Sequence, residues 1–123
     1  MKAVDKRLDA LWSELVKLRA GNKCEVCKIT RNLNSHHVYS RAKMSVRWQV
    51  INGYCLCVNH HIGVKFSAHK SPNDFAEWSK KDRGQSWFDL LSAQANTISK
   101  LHVFEKELLA KELKKEIDKY KKT

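Results

Sequence analysis

The sequence predicts an α+β domain in which a cysteine-anchored hairpin lies between helices. Three observations predict it. Apolar residues recur at helical spacing before Ala20 and again after Ser71; periodicity is lost between positions 22 and 66, where β-prone pieces stand at 36–39 and 53–57; and the same segment holds all four cysteines. The expected organisation is a single domain over 1–123, with an N-terminal helix in 1–21, a metal-stapled core in 22–70 and a helical part in 71–123.

The first helix is read from Val4, Leu8, Leu11, Trp12, Leu15 and Leu18, which recur at three and four, while Asp5, Lys6, Asp9, Glu14 and Lys17 fill the other faces. Gly21 and Asn22 supply left-handed residues to end it. Between the two β-prone pieces, Ser40 to Asn52 forms a long connection carrying Arg41, Lys43, Arg47 and Trp48, and connections of that length in small domains are usually functional. Ser71-Pro72-Asn73-Asp74 then reads as a helix start, with an N-cap serine, proline at the first helical position and an acid at the third. Gly84 ends that helix, and Ser86-Trp87-Phe88-Asp89 repeats the capping pattern. Thr97 is expected to cap a last helix with Ile98, Leu101, Phe104, Leu108, Leu113, Ile117 and Tyr120 along one side. Residues 100–123 hold eight Lys and five Asp or Glu, with Glu107–Lys111 and Asp118–Lys122 as favourable i,i+4 pairs. That helix packs on the first helix or pairs with another subunit in a homodimer; intramolecular packing is the preferred expectation.

Composition narrows the partners. With 42% hydrophobic and 30% charged residues, one Pro and four Gly, the chain is neither disordered nor of low complexity. Lys and Arg number 24 against 13 Asp and Glu, a formal charge of +11 that makes a polyanion, nucleic acid before a membrane surface, the natural partner. Residues 1–12 contain no apolar signal core, and no stretch approaches the roughly 18 apolar residues of a membrane span, so a cytoplasmic location is expected.

Cysteines in a reducing compartment are poor disulfide candidates, and Cys24-x-x-Cys27 followed by Cys55-Leu56-Cys57-Val58-Asn59-His60 reads instead as metal ligation. A C-x-x-C turn puts two thiolates on one knuckle, and zinc asks for four such ligands in a tetrahedron. The second pair is either Cys57 with His60 or Cys55 with Cys57. Cys57-x-x-His60 has the spacing of a knuckle at a strand-to-helix turn, whereas residues 55 and 57 lie two apart on an extended strand, so Cys57 and His60 are preferred. Four protein ligands leave no position for water, which makes this zinc structural.

Around this clip stand Ser35-His36-His37-Val38, then Asn52, then His60-His61. Read together, Cys24-x-x-Cys27, His36-His37, Asn52, Cys57-x-x-His60 and His61 resemble the HNH (His-Me finger) endonucleases, whose zinc-stapled ββα-metal core the segment from Cys24 to Lys70 would then form. A nearer resemblance is to small phage nucleases of the NinG/Rap recombination type, through His37-Val38-Tyr39-Ser40-Arg41, Arg47-Trp48 and Asn52-Gly53-Tyr54-Cys55-Leu56-Cys57. It implies DNA as partner, action on branched or recombining DNA, and the host cytoplasm if the chain is phage-encoded.

The resemblance also implies roles. His37 would be the general base toward water; His36 and His61 would hold a catalytic divalent cation such as Mg²⁺, Mn²⁺ or Ni²⁺; Asn52 would steady the hairpin and orient His37 by hydrogen bonding. The products would carry a 5′-phosphate and a 3′-hydroxyl. The chain departs from the family in two places. His60 stands where members generally have cysteine, leaving open which of His60 and His61 faces which metal, and Lys65 stands where some members have another metal histidine. Lys65 is expected to grip a phosphate, and His69, eight residues after His61, is either a third cation ligand or an ordinary exposed histidine.

The chemistry asks for these residue types on its own terms. A phosphodiester is an unreactive anionic ester, so its hydrolysis needs a nucleophile and charge neutralisation. An imidazole with a pKa near 6.5 can take a proton from water at neutral pH. On an extended segment neighbouring side chains point to opposite sides, so His36 and His37 can divide two tasks. Arg41, Lys43, Arg47 and Lys65 are the expected phosphate contacts, with Tyr39 and Trp48 as aromatics that stack on a base. Trp12, Trp78, Trp87, Phe75 and Phe88 are expected in the core. The competing readings are a non-catalytic zinc-containing DNA-binding protein and a ribonuclease using the same hairpin.

Overall fold

The computed structural model describes residues 2–63 and 65–122, which form an α+β arrangement of five α-helices around one two-stranded antiparallel sheet. Helix α1 spans Ala3–Arg19, one residue longer than its periodicity suggests. Val4, Leu8, Trp12, Leu15 and Val16 are buried along it, and the positive φ of Gly21 and Asn22 turns the chain out of the helix as expected.

Strand β1 covers Leu33–His37 and strand β2 covers Gly53–Cys57, paired so that His36 lies opposite Tyr54 and His37 opposite Gly53. The first strand thus begins earlier than its β-prone residues indicated, because pairing with all five residues of β2 extends it back to Leu33. Beyond His37, only Val38 continues the pairing, donating to the Asn52 carbonyl at 2.9 Å. Gly53 is required where α1 crosses the hairpin: a Cβ there would come within 2.4 Å of Val16 and 2.9 Å of Trp12. The sheet separates two packing layers. Cys55 joins the cluster of α1 residues on one side, while Tyr54 and Leu56 pack with Phe75 on the other.

Helix α2, Val58–Ile62, follows β2 directly. Helix α3, Pro72–Arg83, starts where the sequence places it, although the Ser71 hydroxyl donates to the Lys65 carbonyl and not to the helix end. Helix α4, Gln85–Ala95, starts earlier than the Ser86 pattern suggests, since Gly84, with φ at 96°, reverses the chain and allows α4 to begin at once.

Helix α5, Val103–Lys121, corrects the reading of the C-terminal segment. Thr97 does not cap it; its hydroxyl donates to the Gln94 carbonyl at 2.7 Å, finishing α4, and Ile98 is 97% exposed. The buried face is Lys106, Ala110, Leu113 and Ile117, so Phe104 and Leu108, expected on the inner stripe, lie on the outside. The partner is α1 of the same chain: Asp5 pairs with Lys106 at 2.8 Å and Glu14 with Lys121 at 2.7 Å, so the two helices run in the same direction. These cross-helix pairs set the register, as does that between Arg7 and Glu107, and Glu107 is thereby drawn away from Lys111. Within α5 the ion pairs are Lys114–Asp118, Lys115–Glu112 and Lys119–Glu116. Among the described residues no helix is long and apolar enough to cross a membrane.

Candidate metal centre and histidine cleft

Cys24, Cys27, Cys57 and His60 bring one ligand atom each within 4.8 Å of one another. The knuckle is shaped by the backbone: the Lys28 amide donates to the Cys24 carbonyl at 2.8 Å, and Lys28 accepts a positive φ to close it. The Cys27 and Cys57 sulfurs are 3.8 Å apart, and His60 Nδ1 lies 3.2 Å from Cys57 Sγ and 3.7 Å from Cys24 Sγ. A tetrahedron with Zn–S of about 2.3 Å and Zn–N of about 2.0 Å has edges of roughly 3.5–3.8 Å, so this Cys₃His set fits zinc. Burial raises the Cys24 thiol, but backbone hydrogen bonds at Cys27, Cys57 and Val26 outweigh it and bring the group below its ordinary value, toward the thiolate a metal needs. Cys55 is not part of this set: it packs in the cluster of α1 residues, and burial together with Glu25 and Cys24 pushes its thiol up to about 11.

The two histidine doublets are each split by their local geometry. On helix α2 successive side chains diverge by about 100°, so His60 turns to the cysteines while His61 turns to His36 and His69. On β1 successive side chains alternate. His36 accordingly meets Phe75 and the other two histidines, while His37 lies flat on Trp12 of α1 at 3.8 Å between ring centres.

His36, His61 and His69 each offer a ring nitrogen within 4.8 Å of the others, close enough to share one ion. The Nε2 atoms of His61 and His69 are 3.0 Å apart. His69 reaches this position because the chain folds back after α2, with the Ala68 amide donating to the His60 carbonyl and the His69 amide to the His61 carbonyl. Burial, then the neighbouring histidines, lowers His36 to about 3, and burial with His69 lowers His61. Both rings are therefore neutral near pH 7, with lone pairs available to a ligand.

His37 opens onto the same cleft, which Ser35, His36, Ser40, Arg41, His61 and His69 complete. Its Nε2 is 3.0 Å from the Arg47 carbonyl oxygen. A carbonyl only accepts, so Nε2 carries the proton and Nδ1 keeps the lone pair. Burial lowers the His37 pKa, and the Arg47 carbonyl and the Asp9 charge offset this only in part.

Asn52, expected to steady the hairpin and orient His37 by hydrogen bonding, is fully buried and makes its two side-chain bonds to Tyr39: its Oδ1 accepts from the Tyr39 amide at 2.7 Å and its Nδ2 donates to the Tyr39 carbonyl at 3.0 Å. It fixes the backbone two residues beyond His37, while Arg47 and Trp12 hold the ring itself. Of the four expected phosphate contacts, only Arg41 lines the histidine cleft. Lys65 lines a neighbouring hollow beside His60 and Phe66, and Lys43 one beside Asn96 and Thr97. The Arg47 side chain is 11% exposed and bound to Asp9, so it serves the interior and not the surface. Trp48 is likewise buried, donating from Nε1 to Asp9 at 2.8 Å, and has no face for a base. Tyr39 is half-buried, its hydroxyl 2.6 Å from that of Ser92. Sequence reasoning missed Asp9, placed on the polar face of α1, and the Glu25–Arg83 pair; the one signal for Asp9 was its position next to Leu8 and one turn before Trp12.

No family model, curated protein or solved structure matches this chain.

Proposed function

We propose that the chain is a metal-dependent DNA endonuclease of the HNH, ββα-metal kind, resembling the NinG/Rap phage nucleases, with Cys24, Cys27, Cys57 and His60 holding a structural zinc. One observation carries the reading: His37 has its Nε2 proton committed to the Arg47 carbonyl and its Nδ1 lone pair without a partner among the described residues, beside the three converging imidazoles of His36, His61 and His69. A group so arranged is a base and not an acid at neutral pH.

In this reading His37 Nδ1 takes the proton of a water that attacks the phosphorus. The new O–P bond forms as the bond to the 3′-oxygen breaks, leaving a 5′-phosphate and a 3′-hydroxyl. Arg41, at the cleft and 55% exposed along its side chain, pairs with a phosphate oxygen and sets the ester in line. His36, His61 and His69 would hold the catalytic cation, which supplies positive charge against the phosphate and the departing oxygen. A donor set of nitrogen alone suits Ni²⁺ better than Mg²⁺. The charge of +11 supplies affinity for the backbone without reading sequence.

The test is cleavage of plasmid and branched DNA by the purified protein with Mg²⁺, Mn²⁺ or Ni²⁺, with RNA digested alongside. The wild type is expected to cut DNA, and His37→Ala to lose at least about 100-fold in rate while still binding DNA. Equal cutting by both proteins removes His37 as base. Salt-sensitive binding without turnover makes the chain a binding module, and preference for RNA makes it a ribonuclease.

A further inference from the structure

We propose that Asp9 is the positioning residue for His37, acting through Arg47. The inference rests on the reading of His37 as the base. Both oxygens of the Asp9 carboxylate are used. Oδ1 accepts from Arg47 Nε at 3.1 Å and Trp48 Nε1 at 2.8 Å; Oδ2 accepts from Arg47 at 2.8 Å and Arg41 at 3.0 Å. Arg47 is thus gripped by two parallel bonds, the most orientation-specific form of this pairing. The residue so gripped is the one whose carbonyl fixes His37 Nε2 at 3.0 Å. Along α1, Asp9 lies one turn before Trp12, whose ring supports His37 from below at 3.8 Å. One helix therefore fixes both degrees of freedom of the base, the ring plane through Trp12 and the tautomer through Asp9 and Arg47.

The connection between the strands has no helix or strand before the 3₁₀ turn at Val50–Asn52; the Gln49 amide closes a turn on the Val46 carbonyl at 3.1 Å around Arg47, and the Asp9 grip on the Arg47 side chain adds to that turn in placing the Arg47 carbonyl. The same carboxylate restrains Arg41, the cleft arginine, from the opposite end of the loop. A carboxylate at position 9 is needed because a neutral amide presents N–H groups to a guanidinium.

The experiment uses the full, zinc-loaded chain with Asp9→Asn, Asp9→Glu and Arg47→Lys. The imidazole nitrogen spectrum of His37, recorded without added catalytic cation, is expected to show one tautomer, protonated at Nε2, in the wild type. Asp9→Asn and Arg47→Lys are expected to show a mixture, and Asp9→Glu to restore the single form in part. In DNA nicking, Arg47→Lys, which leaves the Asp9–Arg41 pair in place, is expected to lower kcat about tenfold or more with KM within about twofold of wild type, and Asp9→Asn to lower kcat at least as far. An unchanged tautomer in both Asp9→Asn and Arg47→Lys overturns the proposal, as does a loss of kcat that follows melting temperature across all three variants. If the wild type cuts no nucleic acid under any cation, the nuclease reading fails, and the imidazole spectrum still decides whether Asp9 governs His37.

Discussion

Arg83, at the last turn of α3, donates to both carboxylate oxygens of Glu25, at 3.0 and 3.3 Å, and Glu25 is the residue between the first clip cysteine and Val26. The same guanidinium lies 3.6 Å from the centre of the Tyr54 ring and donates to the Gly53 carbonyl at 2.7 Å. Glu25 in turn accepts from the Cys55 amide at 2.7 Å. The knuckle, strand β2 and α3 thus meet on one ion pair.

Removing that cation leaves a largely buried carboxylate without its partner. Arg83→Met is expected to destabilise the protein by about 3 kcal/mol in urea unfolding. Arg83→Met combined with Glu25→Gln is expected to recover part of that loss. A change below about 0.5 kcal/mol in the single variant means that the pair contributes nothing to the fold.

Metal content distinguishes the cysteines. Cys27→Ser is expected to lose zinc and the cooperative melt, because the sulfur closes the tetrahedron. Cys55→Ala is expected to keep one zinc per chain and lose only about 1 kcal/mol from a smaller core side chain. Zinc loss in Cys55→Ala, measured by elemental analysis, contradicts the ligand set.

The third imidazole is tested by ion binding after zinc has filled the clip. His69→Ala is expected to weaken Ni²⁺ binding about 100-fold by calorimetry, since even an outer-shell partner is worth 10- to 100-fold. Ni²⁺ is expected to bind the wild type more tightly than Mg²⁺ does. Identical titrations of wild type and variant exclude His69 as a ligand.

Acid should act on His36. Its folded pKa of about 3 lies below the ordinary 6.5, so between those values the unfolded chain holds a proton that the folded chain does not. Stability contributed by the neutral ring is complete above pH 6.5 and declines as pH falls toward 3. From pH 6.5 to 5 the loss is about 2 kcal/mol at 1.36 kcal/mol per pH unit. With one equivalent of zinc and no other ion, His36→Gln is expected to have a flatter pH dependence than wild type by that amount. Parallel urea curves across this range contradict it.

Several features were legible because they depend on neighbours in sequence. The periodicity of α1, the left-handed Gly21 and Asn22, the proline start of α3 and the choice of Cys57 and His60 over Cys55 all follow from local geometry, and the structure repeats each of them. The divergence of His36 from His37 follows from the same alternation along a strand.

Other features depend on partners distant along the chain. The start of α5 and its buried face were set by Asp5, Arg7 and Glu14 on α1, which select Lys106, Ala110 and Ile117 over an equally apolar stripe through Phe104 and Leu108. Arg47 and Trp48, polar or amphipathic in any single-residue reading, were drawn inside by Asp9 some 38 residues earlier. His69 joined His61 only because the segment after α2 folds back by two backbone hydrogen bonds. Sequence determined the elements and the ligand types through short-range periodicity and turn chemistry. Tertiary structure decided which charges were buried and which rings converged, because a charged side chain enters the interior only where a distant partner offsets its desolvation.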